Sequence, residues 1–115
     1  MVKLLINYAN KNNIILELNK KSDIGDYPLL LACYKNYIEI IKLLINYASK
    51  NDIDLELNEK DKYGTYPLLL ACDRNNIEMV KLFIDYANKN NIILKLNEKD
   101  INKNFLFIWG FDKNL

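Results

Sequence analysis

Three rhythms of apolar and polar positions alternate along the chain. Ile38, Ile41, Ile45 and Ala48 recur at the spacing of one helix face, and Glu39, Lys42 and Asn46 fall on the other. An amphipathic helix with its polar side toward water is predicted, and Ile77, Val80, Ile84 and Ala87 repeat the stripe. Just ahead of each lies a run that is apolar on every side, Pro28-Leu29-Leu30-Leu31-Ala32-Cys33 and its copy from Pro67 to Cys72. Proline suits the first helical turn, and a helix with no polar face is expected to be buried between neighbours. The third rhythm has period two. It runs through Ile53-Asp54-Leu55-Glu56-Leu57 and recurs at Ile14/Leu16/Leu18 and Ile92/Leu94/Leu96, which predicts an extended strand. Asn58 to Gly64 then reads as a turn, with Gly supplying a backbone conformation most residues avoid.

These rhythms belong to a gap-free repeat. Val2-Lys-Leu-Leu-Ile-Asn-Tyr-Ala returns from Ile41 and again from Val80, each time 39 residues on. Residues 2–40 match 41–79 at 26 of 39 positions, and 41–61 match 80–100 at 14 of 21, whereas beyond Asp100 only 2 of 15 match. A constant period near 40 indicates stacked supersecondary units rather than one globular core. The units divide as a partial repeat over 1–22, full repeats over 23–61 and 62–100, and a degenerate partial repeat over 101–115.

Composition narrows the chemistry. The 115 residues hold 16 basic and 15 acidic side chains, so the net charge of +1 offers no field for a phosphate backbone or an anionic membrane. Histidine is absent, which removes the commonest general base and metal ligand. Acid pairs such as Asp23 with Asp26 and Asp52 with Asp54 fall in predicted turns or arms, and only three glycines are present. No catalytic residue, cofactor or metal site is therefore expected. Cys33 and Cys72 sit one period apart, on stacked helices roughly 8–10 Å apart, too far for a disulfide. They read as small core residues. No run approaches a membrane span, no signal-peptide pattern opens the chain, and a cytoplasmic location is the expectation. The 18 asparagines are attributed to an AT-rich genome and given no role.

The segment Asn58-Glu-Lys-Asp61-Lys-Tyr63-Gly64-Thr65-Tyr66-Pro67-Leu68-Leu-Leu-Ala71-Cys72 resembles the ankyrin-repeat signature, and Asn19 to Cys33 is a second copy with Ser22 in place of Asp61. Ile77-Glu-Met-Val-Lys-Leu-Phe-Ile84 is similar to that family's outer helix. The resemblance implies an all-α solenoid of helix-turn-helix units. The family period is 33, so each unit carries six extra residues, located around Asn10–Leu18, Ser49–Leu57 and Asn88–Leu96. Tyr27 and Tyr66 stand where a small hydroxyl cap is usual, a loss of ~1 kcal/mol. Leu30 and Leu69 stand at the usual His.

The resemblance also implies that turn tips and inner-helix ends line a concave face that meets other proteins. Differences between the two full repeats fall there: Asp23/Lys62, Ile24/Tyr63 and Asp26/Thr65 at the turn, then Tyr34/Asp73, Lys35/Arg74 and Tyr37/Asn76 after the inner helix. Tyr and Arg are the side chains that most often carry interface energy, although drift at solvated positions gives the same pattern. The expected function is a non-catalytic protein-binding scaffold. The alternatives are a spacer within a longer ankyrin array, or the targeting module of a larger enzyme. Because the chain opens on an outer helix without its inner partner, a piece of a longer array is the favoured reading, with self-association through the ends of the stack as another outcome. The aromatic segment Phe105-Leu-Phe-Ile-Trp109-Gly-Phe111 stands where an inner helix would recur, either closing the stack or offering an apolar patch.

Overall fold

The computed structural model describes residues 1–102; all but the first two residues of the predicted degenerate repeat over 101–115, the aromatic segment 105–111 included, lie outside the described residues. Five α-helices follow in order: α1 (Val2–Lys11), α2 (Pro28–Tyr34), α3 (Ile38–Lys50), α4 (Pro67–Asp73) and α5 (Ile77–Lys89). Short inner helices α2 and α4 pack on each other, the longer outer helices α1, α3 and α5 stack in a second row, and each inner helix leans on the outer helix that follows it. One continuous core lies between the two rows. It holds Leu29, Leu30, Ile41, Leu69, Met79 and Phe83 at its centre.

Proline opens both inner helices as expected, in their first turn. Helix ends in both rows account for several of the asparagines. Asn13, Asn36, Asn75, Asn91 and Asp52 all have φ between 52° and 56°, in the left-handed region that Asn and Asp tolerate best after Gly. Each lies one residue past a helix cap, and the next residue's N–H returns to an alanine carbonyl: Ile14 to Ala9, Tyr37 to Ala32, Ile53 to Ala48, Asn76 to Ala71 and Ile92 to Ala87. Asn12, Asn51 and Asn90 add side-chain bonds back to Tyr8, Tyr47 and Tyr86 carbonyls at 2.8–2.9 Å. Asparagine is therefore the residue that ends helices here, a role the composition alone did not suggest.

Two expectations change. The outer-helix stripe holds on α3 and shifts on α5: Ile41, Ala48 and Ala87 are buried as expected, beside Leu44, Tyr47, Phe83 and Tyr86, and Ile38, Ile45 and Val80 are half-buried, whereas Ile77 and Ile84 are exposed. The apolar surface available on those helices exceeds what the inner row covers, so a second, outward stripe of isoleucine remains. The arms after the outer helices are also not strands; no β-strand forms among the described residues. Their alternation is real, since Leu55 and Leu57 are buried and Asp54 and Glu56 exposed. Backbone pairing is replaced by side chains. Asn19 donates to the Asp54 carbonyl at 2.8 Å and accepts from the Glu56 N–H at 3.0 Å, and Asn58 repeats this on Ile93 and Lys95. Tyr47 accepts from the Leu16 N–H and donates to the Ile14 carbonyl; Tyr86 does the same with Leu55 and Ile53. The Ile53–Leu57 arm thus hangs on both the tyrosine of the next outer helix and the asparagine of the preceding turn, whereas the first arm has the tyrosine and the last the asparagine.

Tyr27 and Tyr66 place no side-chain cap on their helices. Their hydroxyls instead cross to the next repeat, donating to the Glu59 carbonyl at 2.8 Å and the Glu98 carbonyl at 2.6 Å. The lost cap is exchanged for a bond between repeats.

Candidate protein-binding surface

The candidate residues fall into two parallel strips. One is made by the turns. Gly25 and Gly64 have φ of +85° and +77°, and each faces the next turn so closely that an added Cβ would stand 2.7 Å from the Asp61 Cα or 2.8 Å from the Asp100 Cα. That closeness lets Lys62 N–H donate to the Ile24 carbonyl at 3.1 Å and Ile101 N–H to the Tyr63 carbonyl at 2.9 Å. Asp23, Ile24, Lys62 and Tyr63 are exposed along this ladder; Asp26 and Thr65 are half-buried beside it. The Lys62 ammonium lies 5.0 Å from the Tyr63 ring centroid, a surface cation–π contact.

The second strip follows the ends of the inner helices, and here the candidates divide. Lys35 and Tyr37 are exposed. Arg74, also exposed, donates its guanidinium to the Tyr34 carbonyl, and Asn76 links to Asn36 at 2.7 Å while capping α5 through the Met79 N–H at 3.0 Å. Asp73 and Tyr34 are half-buried. The Tyr34 hydroxyl donates to Asp61 Oδ2 at 2.6 Å. Burial first, then that bond and the carboxylate charge, push its pKa up to about 12. Tyr34, Arg74 and Asn76 therefore serve the joint between repeats as well as its surface.

Asp61 ties the two strips together. It is the one polar residue buried among the described residues. Its Oδ1 accepts the Tyr63 and Thr65 N–H groups at 2.8 and 3.0 Å while Oδ2 takes the Tyr34 hydroxyl. In the first repeat the Ser22 side chain accepts a bond from Asp26 N–H, at 3.1 Å. The acid before the glycine was visible in the motif, but its reach to Tyr34 required the fold.

Nothing in this arrangement activates a nucleophile. Cys33 and Cys72 are buried free thiols, and burial raises the pKa of both, which disfavours the reactive thiolate. No group of three His, Cys, Asp or Glu side chains that could hold a metal ion forms among the described residues, and none of their helices is long and apolar enough to cross a membrane.

Residues 1–93 match the family model for ankyrin repeats in three copies. The chain belongs to the ankyrin-repeat family. The crystal structure of an ankyrin repeat domain from Acinetobacter baumannii is similar in fold, with a TM-score of 0.65 at 20% identity over 93% of this chain. The match spans 45% of that protein's chain. No curated protein matches the sequence. Ankyrin repeats are in general modules for binding other proteins, and the paired helices, the turn ladder and the two rows of helices in this chain follow that plan.

Proposed function

We propose that this ankyrin-repeat chain is a non-catalytic scaffold whose turn strip and inner-helix ends together receive another protein. The observation that carries the proposal is the rigid footing of side chains that differ between repeats. Ile24, Tyr37, Tyr63 and Lys35 are exposed, yet each rises from backbone held by the turn ladder, the Asp61 bonds or a left-handed Asn cap. A backbone already ordered before binding loses less entropy on contact, and tyrosine offers large area with few torsions. Catalysis has no equivalent support.

The test compares two faces. Ile24→Ala, Tyr37→Ala and Tyr63→Ala together remove the exposed apolar side chains without touching the bonds between repeats. Lys42→Ala, Asn46→Ala and Lys81→Ala change the outer helices. Binding proteins selected from a displayed library against the wild-type chain are expected to lose at least tenfold in affinity for the first variant and little for the second. Equal affinity for the first variant and the wild type would place recognition elsewhere.

A further inference from the structure

Opposite charges stand at the tips of the two turns and do not pair. At the same register, one repeat apart, the first turn has Asp23 and the second has Lys62, and Asp26 stands where the second turn has the neutral Thr65. Asp23 and Asp26 give the first tip −2, and Lys62 gives the second +1, the Asp61 carboxylate being buried and taken up by three hydrogen bonds. In the segments leading into these turns such charges do pair from repeat to repeat: Lys21 with Glu59 at 3.1 Å and Lys60 with Glu98 at 3.6 Å. Neither Asp23 nor Asp26 makes an ion pair among the described residues, and the Lys62 ammonium lies over the Tyr63 ring instead.

The exposure of the tips belongs to their register and not to an end of the stack. Tyr63 has a turn on either side and is 50% exposed, against 44% for Ile24, and Lys62 is exposed as Asp23 is. The turn ladder also decides how a partner can be read. The Ile24 and Tyr63 carbonyls accept the Lys62 and Ile101 N–H groups, and Asp61 holds the Tyr63 and Thr65 N–H groups. With these backbone groups occupied, an incoming strand finds no edge to extend, and recognition passes to the side chains.

Given that the turn strip receives another protein, as proposed above, we infer that it takes an extended segment of stated charge order. The segment carries a Lys or Arg opposite Asp23 and Asp26, an Asp or Glu three residues away opposite Lys62, and apolar side chains beside them for Ile24 and Tyr63. Adjacent repeats lie roughly 8–10 Å apart, which is three residues of extended chain at about 3.1–3.4 Å each. In a polyproline-type segment every third residue returns to the same face, so both charges meet the strip together. A helix would need about seven residues per step and a groove for its wider body, whereas the strip offers two exposed side chains per turn. Reversing the segment's charges sets like against like at both turns, so the strip selects order as well as composition.

The test selects displayed random peptides against two forms of the full chain: the wild type, and Asp23→Lys with Asp26→Asn and Lys62→Asp, whose tips carry +1 and −1. Wild-type selections should concentrate a cation and a carboxylate three residues apart in one order, and the variant's selections in the reverse order. A wild-type peptide resynthesised with those two residues exchanged should bind the wild-type chain about fivefold more weakly, and the variant correspondingly more tightly. Circular dichroism and the urea midpoint check that the variant folds. Should it not, Lys62→Asp alone, at an exposed side chain, should remove the preference for the carboxylate. Peptides that lose binding to Ile24→Ala with Tyr63→Ala yet show no order of charges overturn the inference and leave the scaffold reading standing. Charges spaced as on a helix face overturn it too. Peptides indifferent to Ile24→Ala with Tyr63→Ala, or a selection that enriches none, overturn both.

Discussion

Removing the Asp61 carboxylate should be a costly change in the turn strip. Asp61→Ala strands the half-buried Tyr34 hydroxyl, 2.6 Å away, and releases the Tyr63 and Thr65 N–H groups at 2.8 and 3.0 Å. Hydrogen bonds to a charged acceptor contribute ~1.5–3 kcal/mol each. Tyr63 is exposed and its N–H regains water, so the loss is dominated by Tyr34 and Thr65. A net destabilisation of about 3 kcal/mol follows, which for a domain of this size lowers Tm by roughly 10–20 °C. Tyr34→Phe should cost about 1–2 kcal/mol by itself. Because the two changes remove one shared bond, the double variant should fall short of the sum by about 1–2 kcal/mol. Ser22→Ala is the internal control: it loses a single bond, to Asp26 N–H, and should cost ~1 kcal/mol. The assay is urea unfolding followed by circular dichroism. A loss below 1 kcal/mol for Asp61→Ala, or additive singles, would refute the idea that this carboxylate fastens the turn to the inner helix.

Gly64→Ala should destabilise by more than ~1 kcal/mol, since φ is +77° and the new Cβ would meet the Asp100 backbone at 2.8 Å; unfolding in urea at an unchanged midpoint would contradict it. Tyr86→Phe should release the Ile53–Leu55 arm at a cost of about 1–2 kcal/mol, visible as faster exchange of the Leu55 amide, and unchanged exchange would show that the hydroxyl is dispensable. Stability should also fall in alkali. Tyr34 and Tyr66 are pushed up to about 12, chiefly by burial and then by the Asp61 and Glu98 carboxylates respectively. An acid that holds its proton more tightly when folded stabilises fully below its unfolded value of 10 and loses that contribution as pH rises toward 12. A urea midpoint constant from pH 9.5 to 12 would contradict this.

The helices and their order could be read from the chain because periodicity reports burial, and burial is what the stack repeats. Pro28 and Pro67 marked the inner-helix starts, and the constant offset of 39 fixed how units lie on one another. The arms were misread because alternation shows only which side chains face inward. Whether neighbouring backbones pair depends on the spacing between units, and here Asn19 and Asn58 span it instead. The rotated stripe on α5 has a similar cause. Ile84 satisfies the spacing as well as Phe83 does, and only the position of the inner row decides between them. Along the two candidate strips, the variable positions were visible but their division was not. Tyr34 and Arg74 bond across the joint between repeats, whereas Tyr37 and Tyr63 are exposed.

Amide hydrogen exchange on the full chain tests the preordered turn strip most directly. Lys62, Tyr63, Thr65 and Ile101 lie outside helices, yet their N–H groups donate to Ile24, to Asp61 twice, and to Tyr63. The account predicts protection of these four amides comparable to that of α4. Exchange as fast as that of unbonded loop amides would mean the turn strip is loose before a partner arrives, and the preformed surface would have to be abandoned.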